Sequence, residues 1–254
     1  MVAAAARAIR DGEIVFVGMR LPLIAFAIAK ALHAPRAVGL FENGIIRDTA
    51  PLAPLVTMGD PPNIAGAATC TGLLDVMGML QRGRVDLGLL GAAEVDRFGN
   101  LNTTWAGPVR LPGSGGACDI AALSRRFIVL MLHERRRFPE RVTFLTSPGH
   151  GEGGDWRRRM SLVGGGPAQV ITTLGVLRAE EGSGELVLTA VHPGVGVEDV
   201  QRETGWALRV VPSIAETAPP TPAELAIIGR FDPDGRWTGP WPMAAGASPV
   251  ATGP

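Results

Sequence analysis

Glu42 stands where an apolar run ends. Residues 37–41 (AVGLF) read as a buried strand, and Asn43-Gly44 just behind Glu42 is a strong turn signal. In open α/β sheets the carboxyl ends of the strands face the ligand crevice. A carboxylate there, partly desolvated and pinned by a short turn, suits nucleophilic attack. The plainer alternative is a solvated turn glutamate, and spacing alone does not separate the two. A second stretch, Gly113-Ser114-Gly115-Gly116 followed by Ala117, is glycine-rich and opens into a short helix. Glycines let backbone approach a ligand and aim successive N–H groups at one spot, so this loop can hold an oxyanion or a phosphate, or be only a turn. It matches neither the P-loop nor the dinucleotide fingerprint.

The other reactive side chains are scattered. His33, His133, His150 and His192 include no pair at metal-ligand spacing, and no metal site is expected. His33 ends a helix and His133 a strand, which are structural settings. His150, in TSPGH, lies in a loop of the kind that lines a cleft and is a candidate substrate contact, along with Asn43 and Gly44. Cys118 reads as helix packing, and Ser114 lacks the G-x-S-x-G elbow of a serine hydrolase. Arg47 and Arg110 are candidates for meeting a distal carboxylate, or are surface residues.

The elements that must position these groups alternate. Helices are expected over 3–10, 21–32, 71–81, 119–123, 197–204 and 223–228. Strands are expected over 13–18, 37–41, 85–90, 127–133, 142–145, 169–173, 185–191 and 208–211, with a Pro-rich loop over 47–69. That order specifies an α/β fold, doubly wound, with a mostly parallel sheet flanked by helices. Residues 1–231 read as a single domain, and 232–254 as a Pro/Gly/Ala-rich tail, disordered or draped on a partner.

Composition narrows the function. With 24 Lys plus Arg against 24 Asp plus Glu, the chain has no basic excess for nucleic acid. The Arg135-Arg136-Arg137 run has Glu134 and Glu140 beside it and reads as a solvated turn. No apolar run has membrane-spanning length. The first residues become charged too early for a signal peptide. Two cysteines without CxxC spacing suit a reducing, cytoplasmic compartment.

Several segments together resemble the B subunits of family I CoA-transferases, of the glutaconate CoA-transferase type. They are VGMRLPLIAFAIAKALHAP (17–35), GLFENGIIRDTAP (39–51), LQRGRVDLGLLGAAEVDRFGNLNTT (80–104), LPGSGGACDIA (111–121), MLHERRRFPERVTFLTSPG (131–149) and HPGVGVEDVQRETGW (192–206). The resemblance implies a subunit with the CoA-transferase fold whose active site a homologous A subunit completes, in a heterodimer or heterotetramer. It implies that Glu42 is the nucleophile and that a glutamyl-CoA thioester forms. Coenzyme A is then a substrate and no cofactor is needed. The 3-oxoacid branch has Ser before the glutamate and a small residue three after the glycine. Phe41 and Arg47 stand there instead, which points to a glutaconate-type dicarboxylic acid. Relatives with this fold that lack the glutamate include a 3-methylglutaconyl-CoA decarboxylase and a ring-opening hydrolase. A CoA-thioester decarboxylase or hydrolase is therefore the alternative.

Overall fold

The computed structural model describes residues 1–53 and 55–239. Helices α1 (Val2–Arg7), α2 (Leu21–Leu32), α3 (Pro61–Ile64), α4 (Leu73–Gln81), α5 (Ala117–Leu123), α6 (Trp156–Arg159), α7 (Val197–Arg202) and α8 (Pro222–Phe231) accompany fourteen strands. The first seven strands are β1 (Ile14–Val17), β2 (Val38–Leu40), β3 (Ile45–Arg47), β4 (Thr69–Cys70), β5 (Leu87–Leu90), β6 (Glu94–Val95) and β7 (Leu101–Asn102). The rest are β8 (Trp105–Ala106), β9 (Val109–Arg110), β10 (Arg126–Met131), β11 (Pro167–Thr172), β12 (Gly175–Ala179), β13 (Leu186–Val191) and β14 (Val210–Glu216).

Ten strands form one sheet in the order β14-β13-β12-β11-β10-β5-β1-β2-β3-β4. Its centre, β11-β10-β5-β1-β2, is parallel. Antiparallel hairpins extend it on both flanks, through β12 beside β11 and through β3 and β4 beside β2. Within the parallel run the chain steps from β1 to β2 and then crosses to β5 on the other side of β1. The strand order therefore reverses at β1/β5, the topological switch point where such sheets open a crevice at their carboxyl ends.

Alternation along each strand divides the core. Val15 and Val17 join α1, α2 and α8 on one face, while Phe16 joins Leu80 of α4 and Ile120 of α5 on the other. Residues 22 to 30 of α2 are all buried, as an almost wholly apolar helix requires. Its one charge, Lys30, is satisfied by donating to the carbonyls of Pro35 and Ala37, beyond the helix end. On the opposite face α5 lies close to β5: a Cβ at Gly88 would stand 2.2 Å from the Ile120 side chain. That close seat carries the start of α5 to the carboxyl edge of the sheet.

The expected strand over 142–145 does not form. Phe144 and Leu145 are exposed, and Thr143 is taken by the Glu94 carboxylate instead of a sheet partner. The 47–69 loop holds one helical turn, α3. Strand β12 carries no alternation long enough to announce it. Helix α8 runs past the expected 223–228 at both ends, and its start is fixed by a reciprocal capping box of Thr221 and Glu224. The beginning of the expected tail is folded: the Asp232 carboxylate accepts from the backbone N–H of Arg236, Trp237 and Thr238, and Trp237 packs on the core. The remainder of that tail lies outside the described residues. No helix among the described residues is long and apolar enough to cross a membrane.

Candidate active site

Glu42 occupies a three-residue hairpin loop between β2 and β3. Phe41 N–H donates to Ile45 O at 2.8 Å, and Gly44 N–H donates to Phe41 O at 2.9 Å. Gly44 has φ +101°, and a Cβ there would lie 2.2 Å from Thr71 O. Only glycine satisfies both the dihedral and the crowding. Asn43 points its amide away, donating to Met58 O at 2.9 Å. Gly44 and Asn43 thus fix the turn, and Glu42 is the one member whose side chain is left uncommitted: neither carboxylate oxygen has a hydrogen-bond partner among the described residues.

The glycine loop meets that carboxylate. A Cβ on Gly116 would sit 3.2 Å from Glu42 Cδ and 3.3 Å from each oxygen; one on Gly115 would sit 3.7 and 3.9 Å from the oxygens. The two segments are far apart in sequence, and the seating of α5 on β5 brings them together. Gly115 has φ +48° while Gly116 is at −78°. Gly116 is therefore needed for space, not for dihedral freedom. The N–H groups of Gly115 and Gly116 have no acceptor among the described residues. The expectation for Ala117 changes: its N–H is taken by Ser114 O at 2.9 Å within the turn. Gly113 N–H is likewise engaged, by Thr103 O at 2.9 Å, so Gly113 anchors the loop.

That anchor rests on a buried network. Glu94 Oε2 accepts from Asn102 Nδ2 (2.8 Å), Thr143 N–H (3.1 Å) and Thr143 Oγ1 (2.9 Å). Asn102 Oδ1 accepts from Thr104 N–H at 2.9 Å, which fixes the strand end that holds Gly113. Next to it, Asp96 accepts from the N–H groups of Phe98 and Asn100 and from Asn100 Nδ2, all at 3.0 Å. Burial raises the Asp96 pKa, and those hydrogen bonds oppose the shift.

Two expected contacts are not made. His150 sits against Gly166 and Gly184 at the start of β11, and burial lowers its pKa. Strand β11 is four strands from β2, roughly 19 Å across the sheet at about 4.8 Å per strand. The fold therefore does not bring His150 to Glu42. Arg47 meets no distal carboxylate either. It is 2 % exposed and donates to the carbonyls of Asn63 (2.5 Å), Ala65 (3.0 Å) and Thr49 (3.3 Å), tying down the 48–65 loop that bears Met58. Arg110 is exposed on β9 with its guanidinium 5.4 Å from the centre of the Trp105 ring.

The other histidines are structural. His33 Nε2 shares its proton with Ala6 O and Ile9 O, both at 3.1 Å, joining α2 to α1. His133 lies between Thr172 Oγ1 and Thr204 Oγ1, stacked on Phe138, and burial lowers its pKa to about 3. No group of His, Cys, Asp and Glu among the described residues could hold a metal ion.

A family model described as coenzyme A transferase matches residues 1–203. The chain is similar to the B subunit of 3-oxoadipate CoA-transferase from Pseudomonas knackmussii, 42% identical over 238 residues that cover 91% of each chain. Its fold superimposes on the crystal structure of glutaconate coenzyme A-transferase from Acidaminococcus fermentans with a TM-score of 0.86, at 32% identity over 93% of this chain and 95% of that one. The decarboxylase AibA/AibB superimposes with a TM-score of 0.79, at 28% identity over 94% of this chain and 97% of that one.

Proposed function

The chain belongs to the coenzyme A transferase family, as the B-type subunit of a CoA-transferase, and from that premise we propose that Glu42 is its nucleophile and a dicarboxylic acid its acceptor. The observation that carries this reading is the Glu42 carboxylate, uncommitted at the end of a buried strand and lying on Gly115 and Gly116.

A Glu42 oxygen attacks the thioester carbonyl of the acyl-CoA. The C–S bond breaks, giving an acyl-glutamyl anhydride and CoA thiolate. The thiolate then attacks the glutamyl carbonyl, releasing the first acid as its carboxylate and leaving CoA as a thioester on Glu42. A second carboxylate reverses both steps. One thioester replaces another, so the exchange is near equilibrium and requires neither ATP nor a further cofactor. Its barrier lies in the oxyanions flanking the anhydride. The free N–H groups of Gly115 and Gly116 are the donors assigned to them, each contributing about 2.7–4 kcal/mol when well aimed.

An A-type subunit is the partner that completes the site, because relatives are named as one subunit of a pair. Glutaconate and 3-oxoadipate are both dicarboxylic acids, which supports an acceptor of that class. Phe41 and Arg47 carry less weight for the choice between them than their sequence positions suggest. Phe41 is buried in the core and Arg47 is engaged by its own loop, so neither reads the acid.

The test is co-expression with an A-type subunit, followed by an exchange screen of acyl-CoA against free acids. CoA is expected to pass to a dicarboxylic acid. Release of CO2 or hydrolysis at a comparable rate without any acceptor would instead assign the decarboxylase or hydrolase chemistry.

A further inference from the structure

We propose that Arg20 is the residue that selects the acid, pairing with the carboxylate of the substrate that does not react. This rests on the transferase reading above. The argument begins with the register of the parallel sheet. Phe16 of β1 is level with Leu40 of β2. Past that pair both chains leave the sheet at the same edge, β1 through Gly18 and β2 through the turn that carries Glu42, neighbouring strands being about 4.8 Å apart. The chain leaves β1 there under tight constraint: a Cβ on Gly18 would lie 3.0 Å from Leu89 O and 3.3 Å from Pro22. It turns into α2 at Arg20, whose carbonyl accepts the first helical hydrogen bond, from Ile24 N–H at 3.1 Å. Arg20 therefore stands at the β1/β5 switch point, in the loop that leaves the strand next to the one followed by the candidate nucleophile.

Its backbone is in the wrong place for an arginine. Arg20 has φ 64° and ψ −118°. That pair belongs to the first central residue of a type II′ turn, a position dominated by glycine because a Cβ is disfavoured there. Only one other non-glycine residue among those described has positive φ, Ser161, on an exposed turn. Strain of this kind clusters at active sites and ligand clamps.

The side chain is also free. Arg20 is exposed, and its guanidinium has no ion pair and no hydrogen bond among the described residues. By contrast Arg47 and Arg157 are buried and donate to backbone carbonyls, and Arg126 is held by Glu13. A guanidinium fork matches a carboxylate bidentately. The two carboxyls of a short diacid are separated by only a few carbons, which suits a cation beside Glu42. The phosphates of coenzyme A lie at the far end of the pantetheine arm from the reacting thioester.

The experiment uses the complex with its A-type partner, comparing wild type with Arg20→Gly and Arg20→Lys. The kcat/KM for CoA acceptance is measured with glutarate against pentanoate, and with adipate against hexanoate. Arg20→Gly relieves the backbone, so its Tm is expected at or above that of the wild type. The diacid-to-monoacid ratio is expected to fall at least about tenfold in Arg20→Gly, with Arg20→Lys keeping part of it. An unchanged ratio overturns the proposal, and a raised KM for every acyl-CoA at constant ratio would give Arg20 to the CoA phosphates instead. Equal loss for both acids with a lowered Tm would make Arg20 structural. A wild-type complex that moves CoA only to monocarboxylic acids overturns this inference and the dicarboxylic acceptor, and leaves the transferase chemistry at Glu42 standing. One that moves CoA to no acid overturns the transferase reading with it.

Discussion

Two regions of the molecule concentrate acids and glycines, and they use them in opposite ways. Around Glu94, Asp96, Asn100 and Asn102 the polar groups are spent on one another and on backbone. The glycines there make room for the protein's own chain: a Cβ on Gly149 would lie 2.2 Å from the carbonyl carbon of Gly99. At the carboxyl ends of β1 and β2, Glu42, Arg20 and the N–H groups of Gly115 and Gly116 have no partners among the described residues. What a Cβ on Gly116 would meet is a reactive carboxylate, not backbone. The type of residue is the same in both regions. What separates a scaffold from a site is whether the hydrogen-bonding capacity is already consumed.

That contrast can be broken by substitution. The largest effect is expected for Glu42→Gln, which keeps the size and removes the charge. Transfer should fall by at least roughly a thousandfold, about 4 kcal/mol at 1.36 kcal/mol per decade. Its Tm should stay within about 2 °C of the wild type, since no hydrogen bond is lost. Gly116→Val comes next. The backbone there suits any residue, so the obstacle is the Glu42 carboxylate. Misplacing it should cost about a hundredfold in rate with little change in stability. Gly149→Ala should do the reverse, losing about 3 kcal/mol in urea unfolding while transfer per folded complex stays within about threefold. A Gly116→Val complex that unfolds easily yet transfers CoA normally would erase the distinction.

A smaller effect sharpens the comparison through pH. Burial holds the folded pKa of His133 at about 3, below the ordinary value of 6.5. The unfolded chain binds the proton more readily between those values. Stability from the neutral ring is thus complete above pH 6.5 and is lost as pH falls toward 3, at no more than about 1.4 kcal/mol per pH unit. His133→Gln should flatten the slope of Tm against pH in that window. An unchanged slope would remove His133 as its source.

Much of the site was legible in the sequence. The end of an apolar strand followed by Asn43-Gly44 marks the Glu42 hairpin, and the glycine run before α5 marks the loop. Their meeting was not legible from spacing. It depends on Gly88 admitting Ile120, a contact between segments more than thirty residues apart. Arg47 and His150 misled for a common reason. Charge and loop context suggest exposure, but Arg47 is buried beneath its own loop and His150 is folded against the start of a distant strand. Arg20 gave no signal at all, because an arginine before Pro22 is unremarked until its φ is known. The 142–145 stretch is apolar enough to pass for a strand, yet its N–H groups go to side chains, Val142 to Asp96 and Thr143 to Glu94.

The central claim is that Glu42 itself carries CoA during turnover. Incubating the complex of this chain and its A-type partner with acyl-CoA, without an acceptor acid, and then adding borohydride should reduce a Glu42 thioester to the alcohol. The peptide bearing residue 42 would then appear at the mass of the reduced side chain, and the signal would vanish in Glu42→Gln. An unmodified peptide from a complex that still transfers CoA would contradict the account.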